Sequence, residues 1–119
     1  MNINTQMLID AGYKYYRGAG RPEFIKHADA FYQKLVWLPN CDNGYTTKLY
    51  FIDVYFYDNS RYHHPDGATF EAILYLPNDI GVTVSVSASQ FESITEIEKV
   101  FKDLYRNNGF VPDPHNQST

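Results

Sequence analysis

The segment Arg61-Tyr-His-His-Pro-Asp66 holds the densest set of reactive groups in this 119-residue chain. Adjacent His63 and His64, with Asp66, carry donors suited to a transition metal or to moving a proton. Their spacing does not put both imidazoles on one helical face. No third imidazole lies close in sequence, so His27 and His115 could join only through the fold. Pro65-Asp66-Gly67 is equally a plain turn, and a solvated loop that binds no metal is the simpler expectation. Asp53 and Glu71 form a second candidate pair. If they share one face on neighbouring strands, they suit paired acid–base chemistry; the plainer reading makes them solvated carboxylates near Lys34 or Lys48. Gly18-Ala-Gly20-Arg21 superficially suggests an anion-holding loop. No strand precedes it, however, and no P-loop lysine with Ser or Thr follows. Cys41 lacks a catalytic partner pattern. No catalytic residue and no cofactor are assigned, and an enzyme is the less favoured reading.

Tyrosine is the larger signal. The chain has 11 Tyr, 8 Phe and 1 Trp, and aromatic residues make up 17% of it. They concentrate in Lys48-Leu-Tyr-Phe-Ile-Asp-Val-Tyr-Phe-Tyr-Asp58. A tyrosine is a large apolar body with a polar tip, suited to half-buried surfaces and interfaces. In a strand from Thr47 to Tyr57, Tyr50, Ile52, Val54 and Phe56 share one face, and Leu49, Phe51, Asp53, Tyr55 and Tyr57 share the other. The first face is nearly all apolar and is expected to be helix-covered core. The second carries a carboxylate and two tyrosines and is expected to be the wetter. Tyr55, Tyr57 and Tyr75, with Asp53, Arg61, His63 and His64, are therefore the candidate partner- or ligand-binding residues. Cross-strand aromatic pairs that only stabilise a sheet are the competing explanation.

The elements that must position these residues follow from local pattern. A short helix is expected from Thr5 to about Ala11, capped by Asn4 or Thr5 and ended by Gly12 or Gly18. Pro22-Glu23 could open another helical turn through His27. Strands are expected over Ala30–Leu38, Thr47–Tyr57, Thr69–Leu76 and Gly81–Ala88. Asn43-Gly44 marks a hairpin turn, and Pro77-Asn-Asp79 another. Val82, Val84, Val86 and Ala88 alternate with Thr83, Ser85 and Ser87, which implies one buried and one solvated face. Ser93-Ile-Thr-Glu96 is a capping box. Ile94, Ile97, Phe101, Leu104 and Tyr105 then form an apolar helical stripe, which the valine face of the last strand is expected to cover. Glu98 and Lys102 are spaced to pair on an exposed side. Asn107-Asn-Gly109 stops the helix. The expectation is an α+β fold: a four-stranded antiparallel meander with N-terminal and C-terminal helices packed on one face. It spans a single domain, 1–110, followed by a flexible tail, 111–119.

Bulk composition restricts the function classes. Hydrophobic residues are 44% of the chain and the formal net charge is −4, a globular composition that disfavours wrapping a phosphate backbone. Nucleic acid is an unfavoured partner. One cysteine permits no intrachain disulfide and fits a reducing compartment. No secretory signal or membrane-length apolar run is present, so a cytoplasmic protein is expected.

Four pieces in this order carry a resemblance: Ala11-Gly-Tyr-Lys-Tyr-Tyr16, Phe31-Tyr-Gln-Lys34, the tyrosine run 48–58, and Ser93-Ile-Thr-Glu-Ile-Glu98 leading a terminal helix. Together they resemble small uncharacterised bacteriophage and prophage accessory proteins across most of the chain. The resemblance supplies no catalytic residues. It implies a protein of the bacterial host cytoplasm that binds a host or defence component, or sequesters a small signal molecule. Three expectations follow. The first is a non-enzymatic protein that binds a macromolecule through its aromatic sheet face. The second is a nucleotide-like ligand held between rings, with Arg17, Arg21 or Arg61 facing phosphates. The third is a metal-assisted enzyme using the His63-His64 loop. A homodimer through an open face or sheet edge is a further possibility.

Overall fold

Asn4 opens the first helix by accepting the Met7 amide on its side-chain oxygen at 2.9 Å, and the helix, α1 (Thr5–Asp10), runs less than two turns. The computed structural model describes residues 3–17, 30–39, 46–56 and 68–114. Gly12, at φ +96°, turns the chain out of α1 through a left-handed conformation that suits glycine. After Tyr13, the four residues Lys14–Arg17 form a strand that the sequence pattern did not suggest. Among the described residues the sheet therefore has five strands: β1 (Lys14–Arg17), β2 (Ala30–Pro39), β3 (Thr46–Phe56), β4 (Ala68–Tyr75) and β5 (Gly81–Ser87). Their order in space is their order in sequence, and every pairing is antiparallel. The meander is thus as expected, with one strand more. Four residues are too few to show a period, which is why β1 escaped notice.

Asp79, at φ 72°, completes the tight turn from β4 to β5. A single 3-10 turn, Ala88–Gln90, leads to α2 (Ile94–Asn107). Ser93 caps α2 by accepting the Glu96 amide at 3.1 Å, and Glu96 in return accepts the Glu92 amide at 2.9 Å. Gly109, at φ +74°, follows the helix as its stop.

One apolar cluster joins both helices to one face of the sheet. Leu8 of α1 and Ile94, Ile97 and Phe101 of α2 meet Tyr50, Ile52 and Val54 of β3 and Ala68, Phe70, Ala72 and Leu74 of β4. The helical stripe thus covers the middle of the sheet rather than β5, where Val84 and Val86 sit at the margin of the core and Val82 is exposed. A helix over the central strands removes more apolar surface from water than one over an edge. Phe56, expected in the core, is instead exposed at the end of β3, edge-on to Tyr32.

The fold continues past residue 110. The Val111 amide donates to the Tyr75 carbonyl at 2.8 Å, and the Asp113 amide lies 3.2 Å from the Lys48 and Leu49 carbonyls. Asp113 also pairs with Lys48 at 3.4 Å. Val111 and Asp113, expected in a flexible tail, are therefore tied to the sheet; residues 115–119 lie outside the described residues. Among the described residues, no helix is long and apolar enough to cross a membrane.

Candidate functional site

Cross-strand register builds a polar row through the second sheet face. Lys14 lies opposite Gln33, Gln33 opposite Asp53, Asp53 opposite Glu71, and Glu71 opposite Ser85. The Gln33 amide donates to Asp53 Oδ1 at 2.8 Å. Tyr55 Oη donates to Glu71 Oε2 at 2.7 Å, and Ser85 Oγ donates to the same oxygen at 2.8 Å. Asp53 is 3% exposed, Tyr55 4% and Glu71 8%. Two carboxylates directly opposite each other would repel; here each accepts side-chain donors, as buried charge requires.

These positions correct two expectations. Asp53 and Tyr55 do not lie on an open, wet platform, because the centre of the second face is buried. Asp53 and Glu71 do share a face, yet they are not solvated partners of Lys34 or Lys48. Lys34 reaches Glu98 at 3.0 Å, and Lys48 is taken by Asp113. Tyr75 lies at the far end of β4, half-buried. With Ile73 it leans over Gly81, where an added Cβ would sit 2.9 Å from Ile73 Cγ2 and 3.4 Å from Tyr75 Cε1. Burial, then the charges of Asp113 and Asp79, raise the Tyr75 phenol above its ordinary pKa. Tyr57, Arg61, His63 and His64 lie outside the described residues, as do Asp66, Cys41 and the Gly18–Arg21 loop. Among the described residues, no group of three His, Cys, Asp or Glu side chains could hold a metal ion.

The open part of the second face lies to one side of this row. β2 is longer than β1, and the β1 pairing ends at Lys14↔Gln33. Beyond it, no described strand pairs with the outer edge of β2. The resulting step is a cleft of about 370 Å³, lined by Gly12, Lys14, Tyr16, Gln33, Lys34, Leu35, Trp37 and Phe51. Tyr16 is 42% exposed and Trp37 45%. Tyr16 stacks on Phe31, with ring centroids 5.4 Å apart, which fixes its plane. Lys48 lies 5.1 Å from the Phe51 ring centroid. Lys14 makes no ion pair among the described residues. Aromatic walls with a cation that no described carboxylate pairs suit a planar or extended ligand that carries negative charge or carbonyl groups.

A narrower gap of about 170 Å³ lies on the helix face, between α2 and β2–β3. Lys34, Val36, Trp37, Tyr50, Ile52, Glu98 and Lys102 line it. Glu98 was expected to pair with Lys102 on an exposed side. It turns inward instead, accepting Tyr13 Oη at 2.7 Å and pairing with Lys34. The exposed pair of this helix is Lys99–Asp103, at 2.8 Å. Burial, then the charge and hydrogen bond of Glu98, push the Tyr13 phenol far above its ordinary value. Burial, then Glu98, push Tyr50 up to about 12.

Sequence reasoning missed Tyr16, Trp37 and Lys14. Tyr16 and Lys14 lie in Ala11–Tyr16, where a glycine followed by three closely spaced tyrosines was the available signal. No protein-family model, curated protein or solved structure matches the chain.

Proposed function

We propose that the chain is a non-enzymatic binding protein of the phage-accessory kind. It takes an extended segment of a host or defence protein into the step between β1 and the part of β2 that no described strand pairs. The observation that carries this reading is the exposed pair Tyr16 and Trp37, flanking a cleft with Leu35 and Phe51. Large rings left half in water on a rigid sheet are the side chains that supply most of the energy at protein interfaces. The stretch of β2 beside them, which no described strand pairs, can donate and accept main-chain hydrogen bonds from an added strand. The aromatic sheet face remains the contact surface, displaced from Tyr55 towards β1. Tyr16→Ser with Trp37→Ser is expected to abolish recovery of a defined partner from bacterial lysate while leaving the circular dichroism spectrum unchanged. Recovery of the same partner at the same yield by wild type and double variant would sink the proposal.

The cleft volume favours one second reading. About 370 Å³ falls within the range of small-molecule sites, and Lys14 between aromatic walls suits a nucleotide-like anion. A ligand that binds only the folded chain raises its melting temperature. A shift with nucleotides that disappears in the double variant, with no protein recovered by either form, would select this reading over the first.

A further inference from the structure

The two sheet edges are guarded differently. β1 has four residues and carries Lys14, whereas β5, Gly81-Val-Thr-Val-Ser-Val-Ser87, has seven residues with no charge and no proline. Short length, lysine and proline are the usual means by which an edge avoids pairing with another chain, and β5 has none of them. The direction of its backbone follows from the hairpin. The Leu76 amide donates to the Ile80 carbonyl at 2.9 Å, and the register runs unbroken from Tyr75↔Gly81 to Thr69↔Ser87. Antiparallel alternation then commits Val82, Val84 and Val86 to β4 and turns the amides and carbonyls of Gly81, Thr83 and Ser85 outward. No described group meets them, and all three residues are exposed.

From this edge we infer that the occupant is a second copy of this chain, paired β5 to β5 about a two-fold axis through Val84. That axis sets Val84 against Val84, Val82 against Val86, Thr83 against Ser85 and Gly81 against Ser87. Branched aliphatic residues thus meet their own kind on the helix face, and small or hydroxylated residues meet on the other. The outward amides and carbonyls fall opposite one another as hydrogen-bonded pairs. Pairing of this kind is isologous and closes at two copies. An uncharged strand neither repels its own copy nor offers a charge by which another partner would select it. The edge lies on the opposite side of the sheet from the Tyr16–Trp37 step, so the two surfaces can be occupied together.

Sedimentation equilibrium of the full chain tests this. The mass is expected to rise with concentration from 13.8 kDa towards twice that value. Thr83→Pro removes an outward amide without touching the β4 ladder, and Thr83→Lys places a charge beside the axis. Both are expected to stay at the monomer mass with unchanged circular dichroism. Should the proline variant unfold, the lysine variant decides. Wild-type protein that stays at 13.8 kDa at every concentration would overturn the inference, as would a lysine variant that dimerises like wild type.

Discussion

At the scale of single residues, Glu71 governs the second face. One of its oxygens accepts both Tyr55 Oη and Ser85 Oγ, and its neighbour Asp53 is held by Gln33. The tyrosine hydroxyl is thus committed to a buried carboxylate rather than offered to a partner. Tyr55→Phe keeps the ring and removes one donor to that carboxylate. It is expected to lower unfolding free energy by about 1–3 kcal/mol in urea titration while leaving partner recovery unchanged. A Tyr55→Phe variant as stable as wild type would contradict the buried network; one that lost the partner would return Tyr55 to the contact surface. Residue type showed that Asp53 and Tyr55 share a face. It could not show whether that face is covered, because tyrosine serves equally well half in water and buried with a partner.

At the scale of elements, α2 is tied down by Glu98. The same carboxylate accepts Tyr13 Oη and pairs with Lys34, so it joins the helix to the residue before β1 and to β2. The Lys99–Asp103 pair on the outer side is exposed at both ends. Glu98→Ala is expected to destabilise the fold by about 1–3 kcal/mol, since it strips partners from a buried hydroxyl and a partly buried ammonium. Lys99→Ala should change stability by no more than about 0.5 kcal/mol. Equal effects in thermal or urea unfolding would refute this division. The helix itself was legible from its cap, stripe and glycine stop. Its orientation over β3 and β4 was not, because an apolar stripe specifies that something covers it and leaves open which strand. The same ambiguity assigned Glu98 to Lys102, one turn away, whereas the fold brings Tyr13 and Lys34 to it.

At the scale of the whole molecule, buried phenols couple the fold to alkaline pH, Tyr13 and Tyr50 most strongly. Tyr13 and Tyr50 are kept protonated in the native state above the ordinary tyrosine value of 10.0, Tyr50 to about 12. Unfolding releases both to ionise normally. Above about pH 10 the unfolded chain therefore binds fewer protons than the native one, and stability falls as pH rises. The contribution is complete below pH 10 and is lost on the way up through 12. Urea midpoints are expected to hold steady from pH 8 to 9.5 and drop by pH 11.5. A flat profile across that range would show that these hydroxyls are solvated.

The sequence by itself determined the fold class, four strands, both helices and their caps, because hydrophobic period, capping residues and turn chemistry act over a few neighbouring positions. It also established that aromatic surplus lies on sheet faces. The tertiary structure alone decided which rings are free. Tyr55 is buried with its hydroxyl on Glu71, whereas Tyr16 and Trp37 stand exposed at a step where β2 outruns β1. Exposure depends on where a strand ends relative to its neighbour, and that is a property of pairing between distant segments rather than of any one of them.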